Sequence, residues 1–312
     1  MKKAFMIDGG AGRVIAAIPA MIKYVKKNPN ADVLFFIMGW DTLLWGIPEL
    51  HDISFSPEIK GNFETRIKPL DALISPEPYR LPSYYNQKTS LAEAFDEIIN
   101  ETTDHSDLGP PRMVLNKMEE KQAAGVIGQV KTQQQKQKTI VIQPFGRSAQ
   151  RVDERDIIDD SSRSLEPHAY LKLVKKLSTK YNLIFFGEKN FHVPGDDYTF
   201  KPELPDLRAW AAVIEVADYF IGCDSVGQHM ARAFDKPGTV IIGSTYAINT
   251  TYPDWFNIVE KVGAQKTYSP IRISQFESHL ADRYNDRCID FDDAEIDAMY
   301  KSIVEDIEKR VK

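Results

Sequence analysis

AAVIEVADYFIGCDSVGQHMARAFDKPGTVIIGST, residues Ala211 to Thr245, decides the fold. It reads as helix, buried strand, acidic turn, capped helix, second buried strand and small polar turn, the order in which an α/β domain builds a phosphate site. Tyr219 to Cys223 is a short apolar run followed by Asp224 and Ser225, and Gln228 stands three positions after Ser225, the spacing of a capping box. A helix is therefore predicted from Val226, with Val226, Met230 and Ala233 on its apolar face and Asp235, Lys236, Pro237 and Gly238 ending it. Gly227, Gln228 and His229 fall in its first turn, where backbone N–H groups and the positive end of the helix dipole favour an anion.

Working outward, the 312 residues exceed one comfortable core, so two domains are expected. Hydrophobic residues make up 43% and charged residues 27%, ordinary for a globular protein. A net charge of −6 gives no general attraction to nucleic acid or to an anionic membrane, so an anionic ligand needs a local site. The two cysteines, Cys223 and Cys288, make no disulfide framework and point to a reducing, cytoplasmic setting, with Cys223 a small core residue. MKKAFMIDGG is too short in apolar residues for a signal peptide, and no run reaches the length of a membrane span.

Lys3 to Ile7 reads as a first strand, Asp8-Gly9-Gly10-Ala11-Gly12 as a loop open to close ligand approach, and Val14, Ile18, Met21, Ile22 and Val25 as one helical stripe. Pro19 kinks that helix or marks its start. Val33 to Met38 is the next strand, which completes a βαβ unit and implies a parallel sheet. Six prolines between Pro48 and Pro82 break the following stretch into short pieces. Helices are expected around Leu91 to Ile98 and Val114 to Ile127, and the polar run Gln129 to Lys138 reads as a domain linker.

The second half restarts the alternation: a strand at Thr139 to Ile142, a helix face of Tyr170, Leu173, Val174 and Leu177, a strand at Leu183 to Phe186, and a helix face of Trp210, Val213, Ile214 and Ala217. The fold class is α/β, two Rossmann-like domains facing each other across a cleft. Residues 1–130 are expected to form the first domain, 139–290 the second, and 291–312 a helix packing back on the first. Arg147 and Ser148 follow the strand at Thr139, and Glu188 follows the strand at Leu183, where ligands of α/β sheets bind. Arg151 to Asp160 reads as a solvated loop, and Trp40 and Trp45 as core residues or sugar-stacking ones. Asp290-Phe-Asp292 caps the last helix.

Gly12-Arg13-Val14-Ile15-Ala16-Ala17-Ile18-Pro19-Ala20-Met21 resembles the N-terminal G-D-hydrophobic-x-x-x-x-P-A-L signature of the heptosyltransferase-like family of GT-B glycosyltransferases. Asp224-Ser225-Val226-Gly227-Gln228-His229-Met230-Ala231-Arg232-Ala233 is similar to its D-T/S-G-x-x-H-x-A-A-A signature, with Lys236-Pro237 and Gly243-Ser244-Thr245 in register. Gly227 stands one place later than that family's glycine. Ser162 to Glu166 resembles a family segment that carries a basic residue before its helix, here Arg163.

The resemblance implies metal-independent, inverting transfer of a sugar from a nucleotide-diphosphate donor, with no cofactor and no metal ligands. The donor falls to Arg147, Ser148, Glu188, Asp224, Ser225, Gly227, Gln228, His229, Ser244 and Thr245. A glycan or other hydroxyl-bearing acceptor falls to the loop of Gly9, Gly10 and Gly12. Fixed donors and cations stabilise the leaving diphosphate without a metal.

Where the family carries its acidic general base, this chain has Arg13, and a guanidinium is no base at neutral pH. Either the base has moved, with Asp8 and then Asp41 the nearest carboxylates, or the acceptor differs, or the chain binds nucleotide sugars without transferring them. Other readings are a related nucleotide-sugar epimerase and an NAD-dependent oxidoreductase, the latter suggested by Gly10-x-Gly12 but lacking a third glycine at Ile15.

Overall fold

The computed structural model describes residues 1–152, 157–159, 161–187, 191–264, 266 and 288–312. The described chain forms two compact units, the first spanning Met1–Asn116 and the second beginning at Lys117.

In the first unit, strands β1 (Lys3–Ile7), β2 (Val33–Ile37), β3 (Ser54–Phe55) and β4 (Ala72–Ile74) make a parallel sheet in the order β3-β2-β1-β4. Helix α1 (Ala11–Lys27) runs through Pro19, so the proline neither starts nor ends it. The short α2 (Pro82–Tyr85) and the nine-residue α3 (Leu91–Ile99) follow, and α3 opens with a capping box between Ser90 and Glu93 and packs on α1. Phe5 stacks on Phe35 at a centroid distance of 5.7 Å within the sheet and meets Tyr24 of α1 edge to face at 5.4 Å. Because β2 and β4 lie on opposite sides of β1, the chain order reverses there, and the carboxyl ends of β1 and β4 mark the position where sheets of this kind take ligands.

The second unit begins with α4 (Lys117–Gln134), which packs on α6 (Leu207–Val216). The boundary therefore falls at Asn116, ahead of the polar run Gln129 to Lys138, whose first six residues are helix rather than linker. Ala123, Ile127 and Val130 are the buried residues of α4, a stripe too narrow to stand out in the sequence. A bidentate pair fastens it: Arg208 Nε and Nη2 donate to Glu119 Oε1 and Oε2 at 2.6 and 2.8 Å.

Strand β5 (Thr139–Gln143) leads to the antiparallel pair β6 (Gln150–Arg151) and β7 (Ile157–Ile158), then α5 (Pro167–Leu177) and β8 (Asn182–Phe185). After α6 come β9 (Tyr219–Cys223), α7 (Val226–Ala233), β10 (Gly238–Ile242), α8 (Ala247–Thr250), β11 (Asn257–Glu260) and α9 (Asp293–Arg310). The sheet is parallel in the order β11-β10-β9-β5-β8, with the reversal between β5 and β9. Asp292 caps α9 in a capping box with Glu295, as the sequence suggests. Helix α9 packs into the second unit, where Ile296, Met299, Ile303 and Ile307 join Tyr170, Leu173, Ile221 and Ile241 in the core. Cys223 is a core residue whose burial pushes its thiol far above the ordinary range. No helix among the described residues is long and apolar enough to cross a membrane.

Arg208 is 5% exposed, so removing the Glu119 carboxylate takes a bidentate partner from a charge held away from water. Glu119→Ala should lower unfolding free energy by about 3–5 kcal/mol, read from a shifted urea midpoint at unchanged slope.

Candidate functional site

The second unit gathers its polar groups at the carboxyl ends of β5, β9 and β10. Gln143, the last residue of β5, sits at the strand-order reversal with its carboxamide between two groups of the α7 entry: Nε2 donates to Ser225 Oγ at 3.1 Å and Oε1 accepts from the Gly227 N–H at 2.9 Å. Ser225 is the N-cap residue of α7, yet its side chain makes no cap bond, so the capping box expected with Gln228 does not form. A side chain from the neighbouring strand caps the helix instead. One consequence is that the Gly227 N–H serves Gln143. A second is the glycine itself, since a Cβ at 227 would lie 2.4 Å from Gln143 Oε1 and 2.7 Å from the Phe220 ring.

The buried residues of α7 are Gly227, Gln228, His229, Met230 and Ala231, so the expected face of Val226, Met230 and Ala233 holds only at Met230. Gln228 Nε2 donates to Asp224 Oδ1 and to the Thr250 carbonyl, both at 3.0 Å. Asp224 Oδ2 accepts from Thr245 Oγ1 at 2.9 Å, which ties the turn after β9 to the turn after β10. Lys266 donates to the Thr245 carbonyl at 2.8 Å and pairs with Glu260 at 3.2 Å, adding a cation to that turn.

His229 is 6% exposed, and its Nδ1 lies 2.8 Å from the Tyr252 hydroxyl. Burial lowers its pKa to about 4, so the imidazole is neutral at pH 7. When the phenol donates to Nδ1, the neutral ring carries its proton on Nε2.

The third part of the cluster is the serine-rich turn ahead of α5. Asp159 Oδ1 accepts from the Ser161 N–H at 2.9 Å, and Oδ2 from the Ser164 N–H at 3.0 Å. Burial opposes its ionisation, but bonds from Ser161 and Ser164 and the Arg163 charge outweigh it and hold the carboxyl below its ordinary range. The turn so fixed directs Arg163 back across the site, with Nη2 to Ser148 Oγ at 2.7 Å and Nε to Ser161 Oγ at 3.0 Å. Ser164 Oγ accepts from the Gly146 N–H at 2.9 Å, and Ser244 donates its N–H to the Ser162 carbonyl at 2.9 Å. Arg147 is exposed beside this turn. Glu188 lies outside the described residues.

The remaining candidates lie in the first unit. Asp8 follows β1, Gly9 takes a positive φ of 97° and accepts from Trp40 Nε1 at 3.0 Å, and Gly10 is the N-cap of α1, with Gly12 inside the first turn. Trp45 is exposed. Asp41 opens a short 3-10 turn after β2. Arg13 is 5% exposed and pairs with Glu77 at 2.9 Å and Asp8 at 3.3 Å.

Sequence reasoning missed Gln143, Asp159, Lys266, Tyr252 and Glu77. Gln143 had a signal, a polar residue closing the apolar run Thr139 to Ile142, and Asp159 lies two and five residues from its serine partners; Lys266, Tyr252 and Glu77 meet Thr245, His229 and Arg13 across more than twenty positions.

The depressed His229 pKa has a signed consequence. The unfolded chain takes up a proton near pH 6.5 while the folded chain resists until about pH 4, so this group costs stability progressively as pH falls through that window. In His229→Gln the fall in urea stability between pH 6.5 and 4 should be shallower than in the parent chain.

No protein-family model and no curated protein sequence matches the chain. Solved structures do. E. coli ADP-heptose lps heptosyltransferase II is 12% identical, with a TM-score of 0.59 over 96% of this chain and 99% of its own. The glycosyl transferase family 9 protein of Veillonella parvula is 12% identical, with a TM-score of 0.62 over 86% and 88%. The dodecameric, iron-containing heptosyltransferase TibC of enterotoxigenic E. coli, in complex with ADP-D-β-D-heptose, is 13% identical, with a TM-score of 0.62 over 99% and 77%. The chain has the α/β fold of the heptosyltransferase-like GT-B glycosyltransferases.

Proposed function

We propose that the protein is a glycosyltransferase that moves a sugar from a nucleotide-diphosphate donor to an acceptor hydroxyl, with inversion and without a metal ion. One observation carries the reading: Arg147, Ser148, Arg163, Asp224, Ser225, Gln228, His229, Ser244 and Thr245 converge at the carboxyl ends of β5, β9 and β10. They do so on a fold shared with an ADP-heptose-bound heptosyltransferase.

The chemistry assigned to these groups is that of a leaving diphosphate. As the bond between the anomeric carbon and the phosphate oxygen breaks, its electron pair stays on the nucleoside diphosphate. Arg163, Arg147, the first turn of α7 and the neutral Nε2–H of His229 meet the charge that develops. The acceptor oxygen forms the new bond to the anomeric carbon from the opposite face and gives up its proton to a carboxylate. We assign that base to Asp8, since Arg13 cannot serve. The glycine loop after β1 is assigned to the acceptor. Cys223 and Cys288, both buried thiols outside any disulfide, support a reducing, cytoplasmic setting.

Thermal-shift measurements against ADP, other nucleoside diphosphates and NAD test the reading, because a ligand raises the melting temperature only where it binds the folded chain. At least one nucleoside diphosphate should stabilise the protein, His229→Ala should lose most of that response, and NAD should give none. Stabilisation by NAD alone overturns the proposal in favour of an oxidoreductase. Nucleotide binding without transfer or donor hydrolysis overturns it in favour of a nucleotide-sugar-binding protein.

A further inference from the structure

We infer that Glu77 is a positioning residue that acts on Asp8 through Arg13, setting where the Asp8 carboxylate sits and how firmly it holds a proton. The inference rests on the reading of Asp8 as the base. Strands β1 and β4 are parallel neighbours, so the residues just past their carboxyl ends, Asp8 and Glu77, come side by side although 69 positions separate them in the sequence.

Arg13 bridges them. Nη1 donates to Glu77 Oε1 at 2.9 Å, Nη2 donates to the Pro76 carbonyl at 2.7 Å, and Nη2 also lies 3.3 Å from Asp8 Oδ1. The guanidinium packs over the rings of Tyr79 at 5.0 Å and Phe95 at 5.4 Å. Its side chain is 4% exposed, against 17% for Glu77 and 30% for Asp8. The two shorter bonds go to Glu77 and Pro76, so these two fix the head of Arg13, and Asp8 meets a cation it does not itself orient. A guanidinium held this way does not swing out to a ligand, and Asp8 is the carboxylate that reaches solvent.

The charges have opposed effects on Asp8. Arg13 favours its ionised form and so weakens it as a base; Glu77 beyond Arg13 disfavours the ionised form and restores basicity. Among the described contacts, Asp8 meets Arg13 from α1, and Arg13 in turn meets Glu77 and Tyr79 from the segment after β4 and the Phe95 ring from α3.

The test is the titration of the Asp8 side-chain carboxyl by carbon NMR in the full chain, beside ADP release from ADP-heptose across pH. Glu77→Gln should lower the Asp8 midpoint by about half a pH unit, and Arg13→Met should raise it by about one unit. Because Arg13→Met strands Glu77, the double variant carries the test if the single one does not fold: its midpoint should lie between the two shifts. A merely structural Glu77 would change stability without moving the Asp8 titration, and an unmoved midpoint, or shifts of the same sign in both variants, overturns the inference. Opposed shifts in a chain that binds no nucleotide leave the positioning role standing and count against the glycosyltransferase reading instead.

Discussion

Each parallel sheet reverses its strand order beside its own first strand, and what happens in the gap this leaves at the carboxyl ends governs the rest of the molecule. Between β5 and β9 the gap is closed by Gln143, whose single carboxamide both accepts from the Gly227 N–H and donates to Ser225 Oγ. An N-cap is worth about 1 kcal/mol wherever it comes from, but here it comes from another strand, so the start of α7 is fixed to the sheet rather than to its own turn. Gly222 and Gly227 follow from that closeness, since a Cβ at either would run into the Phe220 ring. The same crowding makes Gly243 necessary: a Cβ there would sit 2.0 Å from the Ser162 carbonyl, because the serine turn crosses directly over the end of β10.

That serine turn shows how a cation is presented. Asp159, four residues before Arg163, uses both oxygens on Ser161 and Ser164, and Arg163 in turn bonds the hydroxyls of Ser148 and Ser161. Bonds to hydroxyls orient a guanidinium without cancelling its charge. Arg13 is treated in the opposite way, enclosed by aromatic rings and set between two carboxylates.

The parts of the fold that were legible in the sequence are those with local causes. The strands Tyr219–Cys223 and Gly238–Ile242 announce themselves as short apolar runs, and the cap of α9 as the acidic Asp290-Phe-Asp292 just ahead of it. Helix α4 was read as partly linker because its stability is long-range: Glu119 reaches Arg208, and the Gln134 side chain accepts from the Leu183 N–H at 2.6 Å. The candidate site divides the same way. Its members in the turn after β9 were legible from one motif, whereas Tyr252 and Glu77 have no local signature and acquire partners only when distant strands or helices come together.

The two reversals therefore select opposite chemistry from one architecture. Beside β1, two carboxylates share one buried guanidinium, so that group of three carries a formal charge of −1 and its most exposed member is Asp8. Beside β5, the partially exposed groups are N–H and O–H donors with Arg163 and Lys266 as cations, and His229 is kept uncharged by burial. A neutral donor in the first turn of a helix suits an anion that must also leave, since a fixed imidazolium would add to the charge attraction on the bound product. Proton removal and leaving-group stabilisation are the two demands of glycosyl transfer to a hydroxyl, and each unit carries residues suited to one of them.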